Sequence, residues 1–249
     1  MCDCPINVTE KIDIIEKEVY KLLKSYGFRK FGRTLHRFVS GDISQIIHFQ
    51  SGMPTNINYG RFCVNLGIRV PECSERTFLP KTEKKKYYHE YECTIRSRLG
   101  IVSGKQETWY NLHKNTDKII KSIIEEIDQY VLPAYEALNS REAILAHRKD
   151  YPLLDNMDHL ISLEECMIYG HVGDTEKAKE CFEQYYQSVV DEYNDIKTNG
   201  RKIYLRKGEH VISGKEHIIA DKDGYYTLYA ANHSHIEYLD ELSVKLGLR

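Results

Sequence analysis

Arg61 and Arg69 sit eight positions apart in the stretch 60–70, and Arg96 and Arg98 are two apart further along. A guanidinium presents a planar fork of N–H donors that matches carboxylates and phosphates, so evenly spaced arginines are a candidate anion-binding set. Asn65 lies midway between the first two and adds an amide that both donates and accepts. A second candidate follows Lys84-Lys85-Lys86, where Tyr87, Tyr88 and Tyr91 place rings beside positive charge. Single-stranded nucleic acid is bound by that combination, because bases stack on rings while cations track the backbone. The polar positions of 60–70 hold no ring, which favours another protein over nucleic acid as the partner of the arginines.

Other constellations fail on spacing. His89-Glu90-Tyr91-Glu92-Cys93 begins like a zincin motif, but its fifth position is Cys and the segment alternates like a strand, whereas two zinc ligands need one helix face. Gly100 and Gly104-Lys105-Gln106 leave three residues between glycines where a phosphate loop has four, and Gln106 replaces the magnesium-binding hydroxyl. Gly208 and Gly214-Lys215-Glu216 leave five. Cys2 and Cys4 lack a second pair, since Cys63, Cys73 and Cys93 are not spaced to supply one. His233 and His235, with His210 and His217 nearby, lack a third ligand. His36 and His48 fall in neighbouring strands whose register the pattern does not give. No Gly-x-Ser-x-Gly elbow occurs. The expectation is therefore no metal, no cofactor and no assignable catalytic residue, with an enzyme ranked below a binding protein.

The elements that must position the arginines read clearly. Phe62, Val64, Leu66, Ile68 and Val70 alternate with Arg61, Cys63, Asn65, Gly67 and Arg69, and a strand sends the two sets to opposite faces. Glu92–Gly100 alternates likewise, with Arg96 and Arg98 on one face. Thr34–Val39 and Ser44–Gln50 flank a Ser40-Gly41-Asp42 turn and read as a hairpin. Before them, Asn7 and Glu10 mark a helix start, and Val8 to Tyr26 carry apolar residues at helical spacing up to Gly27. Ile119 to Val131 form a second amphipathic helix, which Pro133 should kink or end. The predicted architecture is α+β: an N-terminal helix, a four-stranded antiparallel sheet with helices packed on one face, then a helical hairpin and a small mixed tail.

In the second half, Met157–Tyr169 and Thr175–Tyr193 suggest the hairpin, and Ser234 with Glu237 suggests a capping box opening a final helix. Residues 21–110 carry 16 Lys and Arg against 7 Asp and Glu, whereas residues 111–249 carry 17 against 25. With Pro152 as punctuation, this divides the chain into a basic sheet domain at 1–150 and an acidic region at 151–249, expected to pack on the first. No apolar run suffices for a membrane helix. Met1-Cys2-Asp3-Cys4-Pro5 lacks a secretory pattern, and seven cysteines without one read as reduced thiols, so a cytoplasmic location is expected.

The series Tyr26-Gly27-Phe28-Arg29-Lys30, Arg33 to Arg37, Ile47-His48-Phe49-Gln50 and Phe62 to Ile68, with Trp109 before a helix, resembles the domain-of-unknown-function family 4304 over residues 10–140. That family has no assigned activity, so the resemblance implies a fold and no catalytic residue; a bacterial accessory or immunity-like role would suit it. Tyr169, Gly173-Asp174, Ala178 and Phe182 resemble one tetratricopeptide unit, although Cys166 replaces a small residue and no second unit follows. A lone unit cannot bury its own face, so a plain helical hairpin is expected. The functional expectation is a non-enzymatic protein-interaction module using Arg61, Asn65, Arg69, Arg96, Arg98, Tyr87 and Tyr88. The alternative is binding of nucleic acid or a phosphate ligand on the same arginine face.

Overall fold

Helix α1 (Val8–Lys24) starts where Asn7 Oδ1 accepts the Glu10 N–H at 3.1 Å, and Gly27 beyond its end takes φ 83°, a conformation costly for other residues. This is a computed structural model, and it describes residues 7–52, 60–79, 84–105, 108–152, 154, 161–213 and 216–249. Cys2, Cys4, Pro80, Gln106, the hairpin start at Met157 and Gly214-Lys215 lie outside those residues. The chain divides into two compact units, Met1–Glu164 and Glu165–Arg249.

In the first unit, β1 (Arg29–Phe31), β2 (Thr34–Val39), β3 (Ile43–Ser51), β4 (Arg61–Arg69) and β5 (Ile95–Arg98) follow one another across an antiparallel sheet. A short β6 (Tyr110–Asn111) pairs with Arg61 and Phe62, further along the edge of β4 that carries β5. Two short strands thus extend the expected four to six among the described residues. The hairpin register that periodicity left open is Leu35 opposite Ile47 and His36 opposite Ile46. Directly opposed residues share a face, so Leu35, Ile47, Phe49, Phe62, Val64, Leu66 and Ile68 point one way. All are fully buried, as are Ile12, Ile15, Val19 and Leu23 of α1.

Two segments differ from their sequence reading. Glu92–Gly100 is not strand throughout: Glu90–Glu92 make a 3₁₀ turn, and Leu99 opens the short helix α3 (Leu99–Val102). Glu92 Oε2 accepts the His89 N–H at 2.8 Å, which spends that backbone donor on the turn. Residues 71–75, to which the pattern assigned no element, form α2 (Pro71–Glu75), with Pro71 at its first turn and Arg76 closing it in left-handed conformation at φ 50°.

Helix α4 (Thr116–Glu126) passes Pro133 without ending, through a π turn at Ile127–Val131 into α5 (Leu132–Ala137). Leu132 N–H bonds Ile127 O, five residues back, and this wider turn accommodates a ring that would strike the carbonyl four residues back. Tyr135 of α5 is fully buried. Its hydroxyl donates to Ile46 O at 2.7 Å and accepts the Gly67 N–H at 3.0 Å, tying the helical layer to the backbone between β3 and β4. Helices α6 (Arg141–His147) and α7 (Ile161–His171) follow.

The second unit continues with α8 (Thr175–Asn199), capped by Asp174, and the strands β7 (Arg201–Leu205), β8 (His210–Ser213), β9 (Glu216–Ile219) and β10 (Gly224–Leu228). β10 pairs with β7 and β8 with β9, before α9 (Ser234–Leu246). The capping box at Ser234 does not form. His233 is the N-cap residue and makes no side-chain cap, while Glu237 Oε1 lies 3.2 Å from His233 Nδ1. No helix among the described residues is long and apolar enough to cross a membrane.

Candidate functional site

The registers Asn65 opposite Arg98, Gly67 opposite Arg96 and Ser44 opposite Arg69 put Arg61, Asn65, Arg69, Arg96 and Arg98 on one sheet face. That face is covered at its centre by residues 84–94. Tyr88 packs on Ile46 and Cys93, and its ring centre lies 4.0 Å from the Arg69 guanidinium. Arg69 is 6% exposed and pairs with Glu75 at 3.5 Å. A Cβ on Gly67 would stand 2.5 Å from Cys93 Sγ, so only glycine lets the cover approach this closely. Asn65 is buried and donates to Gln50 Oε1 at 2.7 Å. Tyr87 stacks on Phe31 with ring centres 4.7 Å apart. Arg69 and Tyr88 therefore work inside the unit rather than at its surface, whereas Asn65, though buried, lines the cleft beside β5.

The histidines share this face but not a chemistry. His48 Nδ1 lies 3.0 Å from Thr34 Oγ1, while His36 sits among Phe31, Phe38 and Tyr88 with Nε2 buried and unpartnered. The cysteines are quiescent. Burial pushes the Cys63 thiol up to about 11 and raises Cys73 and Cys93 well above the usual thiol range, which suppresses the nucleophilic thiolate. Among the described residues no group of three or more His, Cys, Asp and Glu is placed to hold a metal ion.

Arg96 and Arg98 escape the cover. They lie on β5, which has a strand neighbour only on its β4 side among the described residues, and they line a cleft of about 820 Å³ together with Arg76, Ser74, Thr94 and Glu90. Arg96 is exposed and pairs with Glu90 at 3.4 Å. The Arg98 guanidinium lies 5.4 Å from the Trp109 ring centre, an attractive contact between cation and ring face. Arg76 Nη1 is buried without a hydrogen-bond partner. Lys85 pairs with Glu92 and Arg148 with Glu164, so the carboxylates lining the cleft each have a cation, and Arg76 and Arg98 remain as surplus positive charge. Arg61 lies apart, in a second cavity beside Trp109. Arg76 and Trp109 are the participants that alternation alone misses: Arg76 closes a short helix that no periodicity marks, and Trp109 reaches Arg98 only through tertiary packing. The pairing of the one tryptophan with Tyr110 was the available signal for the latter.

Fold and cleft together define an α+β domain with an antiparallel sheet, helices on one face and arginines along its outer edge. Residues 19–137 match the model of the family described as Domain of unknown function (DUF4304), the family that the resemblance in the sequence had indicated. No curated protein and no solved structure matches the chain.

Proposed function

We propose that this protein is a non-enzymatic interaction module that receives an extended acidic segment of another protein along the outer edge of β5. One observation carries the reading: the cleft beside that edge strand presents Arg76, Arg96 and Arg98. An edge strand offers backbone donors and acceptors to an added strand, and side chains beside it select the sequence. The four residues of β5 accommodate a partner segment of about four residues, at about 3.4 Å each. Acidic side chains on that segment meet the guanidinium forks, which bind carboxylates in paired N–H···O contacts.

The test uses a labelled peptide of alternating Glu and Val. Binding is expected to weaken about tenfold or more, the equivalent of about 1.4 kcal/mol, in the pair of variants Arg76→Glu and Arg96→Glu with melting unchanged. N-methylation of alternate peptide amides should abolish it as well. Equal binding by wild type and variants defeats the proposal. The alternative ligand on the same arginines, nucleic acid or another phosphate ligand, predicts instead that an oligonucleotide outcompetes the peptide with affinity falling steeply as salt rises.

A further inference from the structure

The carboxylates that line the β5 cleft are spent, and two of its cations are not. Glu90 pairs with Arg96, Glu92 with Lys85 and Glu164 with Arg148. Arg76 has neither a hydrogen bond nor an ion pair among the described residues, and its Nη1 is buried. Arg98 has no carboxylate partner among the described residues. Its guanidinium lies over the Trp109 ring, a contact that gives the N–H donors of the fork no acceptor. Beside Arg98 the sheet offers further donors. Gln50 on β3, Asn65 on β4 and Arg98 on β5 share one face of three adjacent strands, through the registers Gln50 opposite Cys63 and Asn65 opposite Arg98. Asn65 Nδ2 donates to Gln50 Oε1 at 2.7 Å, and Asn65 Oδ1 accepts the Cys63 thiol at 3.5 Å. Both amide oxygens are thus occupied from within the sheet. Gln50 is exposed and lines the cleft, and among the described residues its Nε2 keeps both N–H donors.

Resting on the reading that an acidic segment lies along β5, we propose that the deciding acid of that segment is a phosphorylated residue. Its phosphoryl group sits on the Arg98 fork and the Gln50 amide, within the field of Arg76. Donors without acceptors call for a group that only accepts. A phosphoryl group brings three acceptor oxygens and a charge of about −1.5 to −2 at neutral pH, which answers two uncompensated guanidiniums. A Glu side chain brings two oxygens and one negative charge, so one of the two cations stays uncompensated. Planar guanidinium forks bind phosphate oxygens in paired N–H···O contacts.

Three peptides test this, identical in their alternating Glu and Val apart from a central Ser, Glu or phosphoserine. At about pH 7.5 the phosphoserine peptide should bind about tenfold or more tightly than the peptide with central Glu. Lowering the pH to about 5 takes the phosphate through its second pKa, about 6, to the monoanion. Glu, with an ordinary pKa of about 4.3, stays largely ionised there, so the advantage should shrink to within about threefold. Gln50→Glu keeps the acceptor for Asn65 but sets a carboxylate against the phosphate. It should remove the advantage at pH 7.5 while melting as the wild type does. Equal binding of the phosphoserine and Glu peptides overturns this inference and leaves the edge-strand reading standing. An advantage that persists undiminished at the lower pH, or in Gln50→Glu, overturns it as well. Binding of none of the three peptides overturns both. Displacement of the phosphoserine peptide by an equal concentration of inorganic phosphate overturns it in favour of a free phosphate ligand.

Discussion

His36 shows how one buried side chain makes stability depend on pH. The residue is 2% exposed, and burial first, then the neighbouring Arg69 charge, lower its pKa from 6.5 to about 4. The unfolded chain therefore binds the proton more readily than the native one. The stabilisation from a neutral His36 is complete above pH 6.5 and is lost as pH falls towards 4, amounting to about 3 kcal/mol at about 1.4 kcal/mol per unit. Burial lowers His48 in the same direction. Phe suits a site ringed by Phe31, Phe38 and Tyr88, so His36→Phe should flatten the fall in urea stability between about pH 7 and about pH 4.5. An unchanged pH slope in that variant would refute the assignment. The position and type of His36 were legible in the sequence. Its burial was not, because residues 84–94 cover it from outside the hairpin.

At the scale of elements, Arg141 at the start of α6 joins pieces far apart in the chain. Its Nε and Nη2 donate to the two Glu72 carboxylate oxygens at 2.8 Å, and Nη1 donates to Asp42 Oδ1 at 2.9 Å. α2 and the turn between β2 and β3 are thereby held to α6. Glu72 is fully buried, and a buried carboxylate stripped of its partner destabilises by about 3–5 kcal/mol. Arg141→Met should therefore lower the urea midpoint sharply, and adding Glu72→Met should recover much of the loss. A single variant as stable as wild type would show that the network holds nothing. Local periodicity in the sequence suffices for the helix over 141–147. It did not show the pairing, nor the failure of the capping box at Ser234, because both depend on where other side chains arrive.

At the scale of the molecule, the first unit reaches into α7. Arg148 and Glu164, 4% and 3% exposed, form a buried ion pair, and Glu164 O accepts from Cys73 Sγ at 3.7 Å. A fragment 1–172 should keep the pair, whereas a fragment 1–153 leaves Arg148 without its carboxylate and should be less stable by about 3–5 kcal/mol. Chemical denaturation of the two fragments checks this, and equal midpoints would contradict it. Periodicity alone determined the first helix, the face membership of β4 and the α+β class, because period and capping are properties of neighbouring residues. It likewise placed Arg61, Asn65, Arg69, Arg96 and Arg98 on alternating positions. Which of those arginines reach the surface was decided by tertiary structure: Tyr88 and Cys93 cover Arg69 and Gly67, α2 brings Arg76 to β5, and Trp109 meets Arg98. Exposure depends on segments remote in sequence that close over a face, and no local pattern encodes that closure.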